Sequence, residues 1–186
     1  MNPLFAAAAE LQRFAIAHGW RITIIGGLAV QRWGEPRQTR AVDVVLLTGF
    51  GGEEHFVDRI LERYTPRRPD ARQFSLERRV LLITDANVPL DVSLAALPFE
   101  ERVVNRSSAY AFAAGVALTT CSAEDLAVLK AFADQPQDWL DIEGIVVRQG
   151  PALDRRLIKD ELDDLLALKE DPVPKARLAE FFRRHP

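Results

Sequence analysis

Apolar positions recur along this chain with two periods, and the change between them divides it. Residues 4–17 place Leu4, Leu11, Phe14 and Ala15 at helical spacing, an amphipathic opening helix that Gly19 stops. RITIIGG (21–27) is a β-branched run ending in two glycines, which predicts a buried strand entering a tight turn. LAVQRWG (28–34) reads as a short helix, AVDVVLL (41–47) as a second buried strand, and TGFGG (48–52) as a turn. EEHFVDRILERY (53–64) sets Phe56, Ile60 and Leu61 on one helical face, with acids at its start, where the helix dipole favours them. TPRRPDA (65–71) reads as a loop. RRVLLIT (78–84) and VPLDVSLA (88–95) read as two strands joined by a hairpin turn at DAN.

Beyond residue 97 the helical period takes over. PFEERVVNRS (98–107) predicts a helix entered through Pro98, and YAFAAGVALTTC (110–121) a small hairpin around Gly115. SAEDLAVLKAFAD (122–134) opens with Ser122 and Asp125 in capping-box spacing, and DWLDIEGIVVRQG (138–150) is a helix ended by Gly150 and Pro151. Residues 154–169 and 174–184 predict two charged helices separated by a break at DPVP (171–174). The order of elements predicts an α+β fold: a small mixed β-sheet flanked by helices, with a C-terminal helical bundle. The expected division is an α/β core over residues 1–107 and a helical part over 108–186, packed together as one compact unit.

Composition narrows the classes. With 186 residues, 48% of them hydrophobic and 27% charged, the chain has enough apolar material for a core and is not mainly disordered. No run approaches the roughly eighteen apolar residues of a membrane helix, and Glu10 and Arg13 interrupt a start that lacks a basic segment. A single cysteine, Cys121, excludes an internal disulfide and a multi-cysteine zinc site, so the expected location is the cytoplasm, away from membranes. A formal net charge of -3 leaves any RNA contact to a local patch. Arg67, Arg68, Arg72, Arg78 and Arg79 are the candidates, though Asp70 and Glu77 can balance them as a solvated loop. His18, His55 and His185 show no ligand spacing. Cys121 reads as a buried thiol, and Trp33 and Trp139 fall at core positions of helices.

The stretch GGLAVQRWGEPRQTRAVDVVLL (26–47), together with PLDVSL (89–94), carries the candidate chemistry. Glycines let a backbone approach phosphate closely, and the first amides of the following helix point at it. Asp43 and Asp91 lie in otherwise apolar runs, where a carboxylate either holds a metal ion, pairs with an arginine or ends on the solvated edge of its strand. A mid-strand carboxylate can hold Mg²⁺, which in turn bridges triphosphate oxygens.

These residues resemble the nucleotidyltransferase (polymerase-beta-like) superfamily. There a GG or GS turn precedes an R-x-T-x-D-x-D-hydrophobic strand, which PRQTRAVD follows here, and LDVSL resembles the strand bearing the third acid. SAEDLAVLKAFADQPQDWLDIEGIV resembles the helical segment of its AbiEii-like and MNT-type toxin–antitoxin branches, so the likeness spans roughly residues 20–150 in three ordered blocks. The resemblance implies that Gly26 and Gly27 cradle nucleotide phosphates and that Arg37 and Thr39 lead into the acidic strand. It makes Asp43 and Asp91 the catalytic and metal-holding acids, has Lys130 reach the triphosphate, and makes Asp141 the acid of the next helix. It further implies an NTP bound with Mg²⁺ (or Mn²⁺), and transfer of NMP to an RNA or tRNA 3′ end or to a protein hydroxyl. A cognate partner protein is the other partner it suggests.

One position departs from the pattern. The first acid of D-x-D falls at Ala41, which supplies no ligand. Two-metal transfer needs a carboxylate that bridges both ions, so the loss predicts weakened catalysis. The alternative is a non-catalytic protein that keeps the fold as an antitoxin-like or scaffolding module.

Overall fold

The computed structural model describes residues 2–169 and 172–185. The first strands and helices alternate: α1 (Pro3–Ala17), β1 (Ile22–Ile25), α2 (Gly26–Trp33), β2 (Val42–Leu47) and α3 (Glu53–Leu61). Next come β3 (Thr65–Pro66), α4 (Ala71–Arg78), β4 (Val80–Asp85), β5 (Val88–Ala95) and α5 (Pro98–Asn105). A hairpin of β6 (Ser108–Ala113) and β7 (Val116–Thr120) follows. The rest is helical: α6 (Ala123–Ala133), α7 (Pro136–Gln149), a short 3₁₀ turn, α8 (Arg155–Lys169) and α9 (Val173–Arg184). The α+β fold class is as the sequence predicts. Of the expected break at 171–174, Asp171 lies outside the described residues.

Residues up to Leu28, with Gln38–Cys121, form one compact unit; Ala29–Arg37, with the residues from Ser122 onward, form a second. In the first, seven strands make one mixed sheet in the order β3-β4-β5-β2-β1-β7-β6. β2 runs parallel to β5 and β1 parallel to β7, while the remaining neighbours are antiparallel. The hairpin at 108–120 therefore belongs to the sheet, as its outer edge.

Strict alternation decides which face each strand buries. Val88, Leu90, Val92 and Leu94 of β5, with Val42, Val44 and Leu46 of β2, face a core completed by Ala7, Ala8 and Leu11 of α1 and by Val57 and Ile60 of α3. The opposite face carries a smaller apolar cluster, in which Val45, Ala95 and Ile25 meet Val104 of α5. Two left-handed residues, Ala86 (φ 45°) and Asn87 (φ 67°), turn β4 into β5, a geometry suited to a two-residue hairpin.

α4 is a helix in a stretch to which the sequence assigns no element, between the loop expected at 65–71 and the strand expected from Arg78. Its segment ARQFSLER buries only Ala71 and Ser75, too little for a 3.6-residue apolar period to show. It ends at Arg79, in the left-handed region at φ 55°, so β4 begins at Val80 rather than at Arg78.

In the second unit α6 packs against α7, α8 and α9, and Leu126, Ala127, Ile142, Ile145 and Ile158 are fully buried. Ser122 caps α6 as expected, accepting from the amide of Asp125 at 3.0 Å. At the end of α7, Arg148 donates to the carbonyl of Gly34 at 2.8 Å and Gln149 to that of Trp33 at 2.7 Å, satisfying carbonyls at the C-terminal end of α2.

Leu90 is fully buried in the main core. Leu90→Ala is expected to lower unfolding free energy by about 2–5 kcal/mol in a urea titration. A loss below about 1 kcal/mol would show that β5 does not pack as described.

Candidate functional site

The parallel pairing of β2 with β5 sets Asp43 directly beside Asp91. Register partners share a face, and neighbouring strands lie about 4.8 Å apart. Asp43 is also in register with Ile25 of β1, and Asp91 with Leu82 of β4. Ile25, Asp43, Asp91 and Leu82 thus form one row across four strands, on the face opposite the main core. Gly26 continues directly from this row into α2.

Gly26 has φ +59°, and a Cβ built on it would lie 2.1 Å from Oδ2 of Asp43. At Gly27 the same construction falls 2.4 Å from the Thr39 hydroxyl, which itself donates to the carbonyl of Ala41 at 3.2 Å. Both glycines are needed so that two side chains of the first unit can close over the turn. The structure brings Gly26, Gly27, Thr39, Asp43 and Asp91 together.

A residue outside the predicted site completes the row. The backbone amide of Arg67 donates to the carbonyl of Leu82 at 3.0 Å, and its guanidinium forms an ion pair with Asp91. Ala41 stands one residue before β2 and brings no side-chain oxygen. The residues present therefore do not fit the two-ion centre that the resemblance implies: position 41, where it expects a carboxylate, carries a methyl group, and Asp91 is held by an arginine. Among the described residues, no group of three or more His, Cys, Asp or Glu could hold a metal ion.

Arg37, Lys130 and Asp141 meet in the second unit. Arg37 grips Asp141 through Nε (2.7 Å) and Nη2 (2.9 Å). Lys130 Nζ contacts Asp141 at 2.8 Å and Asp138 at 2.7 Å, with its side chain 11% exposed. The resemblance has Lys130 reach a triphosphate; in the structure its ammonium meets two carboxylates. Asp138, which sequence reasoning missed, also accepts from the backbone amide of Gln135 at 3.2 Å at the start of α7. Burial pushes the Asp141 carboxyl up, but hydrogen bonds from Arg37 and Lys130 outweigh it and hold its pKa below the ordinary carboxylate value.

The remaining arginines of the basic run are mostly satisfied locally. Arg68 pairs with Asp70, Arg72 with Glu54 and Asp58, and Arg79 with Glu53. Asp70 balances Arg68 as expected, and Glu53, Glu54 and Asp58 of α3, rather than Glu77, balance Arg79 and Arg72. With Arg67 on Asp91, four of the five arginines of this run meet carboxylates. Cys121 is buried, as expected, and its amide donates to the carbonyl of Ile24. Among the described residues, no helix is long and apolar enough to cross a membrane.

No family model matches the chain, and no curated protein matches it in sequence. Solved structures do match in three dimensions. An antigenic nucleotidyltransferase-like protein from Paracoccidioides brasiliensis aligns over 94% of this chain and 92% of its own, with a TM-score of 0.54 and 12% identity. The fold is nucleotidyltransferase-like. The antibiotic-resistance enzyme ANT(2″)-Ia, in complex with adenylyl-2″-tobramycin, covers 87% of this chain and 95% of its own, at a TM-score of 0.51 and 14% identity. At such identities the likeness concerns the nucleotidyltransferase-like fold alone, and it does not single out the AbiEii-like or MNT-type branches.

Asp141→Asn leaves Arg37 and Lys130 without their shared carboxylate, at a side chain only 2% exposed. The expected loss is about 3–5 kcal/mol at pH 7. Because the folded pKa is depressed, this stabilisation is present above the unfolded value of about 3.9 and is lost as pH falls through the folded value. Denaturant titrations should therefore show the gap between the two proteins shrinking below about pH 4. A gap independent of pH would mean that the carboxylate charge is not what Asp141 contributes.

Proposed function

We propose that this chain is a nucleotidyltransferase-fold protein that binds a nucleoside triphosphate and does not perform two-ion nucleotidyl transfer. The observation that carries the reading is the row itself. It keeps Asp43 and Asp91 side by side next to the Gly26–Gly27 turn, yet Ala41 lacks a carboxylate and Arg67 occupies Asp91. The amides at the start of α2 and the Arg67 guanidinium are groups suited to phosphate oxygens. In this reading Mg²⁺ arrives on the triphosphate and is not assembled by the protein's own carboxylates. Arg37, Lys130 and Asp141 act as structural ties of the helical unit, not as nucleotide ligands.

The reading favours a binding module over the weakened transferase that the motif alone implies. Removing a single preorganised charge-stabilising group typically costs about two to three orders of magnitude in rate, and here two carboxylate positions are compromised.

The test pairs equilibrium dialysis of each labelled NTP with a transfer assay containing Mg²⁺ or Mn²⁺, total RNA, lysate proteins and a small aminoglycoside acceptor. Saturable binding of at least one NTP, with no label on any acceptor, is the expected result. Label transferred with steady turnover would overturn the non-catalytic reading. Absence of binding for all four NTPs would overturn the nucleotide reading.

A further inference from the structure

We propose that Arg67 is the built-in cation of the Asp43–Asp91 row and excludes a divalent ion from it. The inference goes beyond nucleotide binding: it concerns which positive charge the acids are built to receive.

The delivery of the guanidinium is specific. β3 pairs with the edge of β4 through Thr65 with Thr84 and Pro66 with Ile83, and Arg67 follows at once. Its amide is fixed to Leu82, the residue in register with Asp91. Backbone pairing thus sets Arg67 on the same row, with β4 between it and the carboxylate that its side chain holds. The neighbouring arginines go elsewhere: Arg68 to Asp70, and Arg72 to Glu54 and Asp58.

A guanidinium and a divalent ion compete for the same carboxylate oxygens. Arginine stays charged at all accessible pH, so protonation does not relieve the competition. A single positive charge about 5 Å from a divalent ion opposes it by more than tenfold in affinity even at the dielectric of water. With Ala41 contributing no oxygen, the Asp43 side of the row offers no compensating ligand from that position. A guanidinium also has donors to spare beyond one carboxylate, so the row meets a phosphoanion through arginine, without inner-sphere metal coordination.

Binding of Mn²⁺ alone tests this, with no nucleotide present, so that its outcome is separate from that of the nucleotide reading. Free Mn²⁺ is followed by its paramagnetic resonance signal for the unmodified chain, Arg67→Gln and Arg67→Gln/Asp91→Asn. Arg67 and Asp91 are both partly exposed, and such pairs add little to stability, so the variants are expected to fold. Arg67→Met provides the same comparison if Arg67→Gln does not fold. The expected result is an affinity at least about tenfold higher for Arg67→Gln than for the unmodified chain, lost again when Asp91 is replaced. Equal affinities with and without Arg67, including no binding by either, would overturn the proposal. So would a gain that survives Asp91→Asn.

Discussion

The register between β2 and β5 is the constraint on which the candidate site depends. Side chains alternate along a strand, so a slip of one residue would turn Asp91 into the main core and drive Leu90 and Val92 out of it. Burying an unpaired carboxylate while exposing two aliphatic side chains is prohibitive. The positions of both acids are therefore enforced by their apolar neighbours, not by attraction between the acids, which repel. Val42, Val44 and Leu46 impose the same discipline on Asp43. The core sets the site's geometry without containing any of its chemistry.

What the sequence made legible follows from where the information lies. Strong alternation in VPLDVSLA and β-branched density in ITII reveal strands, and the spacing of Ser122 and Asp125 reveals a helix start, because each signal is local. α4 escaped because its buried positions are only Ala71 and Ser75, neither of which marks an apolar face. The row of Asp43 and Asp91 was reachable through the order of motif blocks, but Arg67 was not. It looked like one member of a basic loop, and only the pairing of β3 with β4 brings it to Asp91. Asp138 escaped for a related reason: a partner eight residues from Lys130, on another helix, has no periodicity to announce it.

Lys130 shows what a motif position touches once the chain is folded. Matched by order to a lysine that reaches phosphate, it sits between two carboxylates in its own helical unit. A lysine so held has its charge answered, and Asp141 has its own answered by Arg37 from the segment that leads out of α2. Each member is costly to bury singly and tolerable only as part of the set. The network secures the 29–37 segment to α7 within the second unit, where Arg148 and Gln149 also hold the end of α2. Motif order recovers which residues cluster; the partners of each side chain decide what the cluster does.

The two acids on the sheet face pose the same electrostatic problem with a different answer. Carboxylates on register partners of neighbouring strands, whose backbones lie about 4.8 Å apart, require nearby positive charge. A metal ion and an arginine both satisfy that requirement, but they are chemically unequal. An ion offers open coordination positions, polarises the phosphoryl oxygen and can lower the pKa of an attacking hydroxyl. A guanidinium offers directed hydrogen bonds and a permanent charge, which bind and orient an oxyanion without activating a nucleophile. Exchanging one for the other leaves the sheet, the register and the glycine turn untouched. Fold and chemistry therefore separate at a few side chains, and a nucleotidyltransferase-like fold is no guide to the reaction apart from the groups that meet its acids, here Arg67 on Asp91.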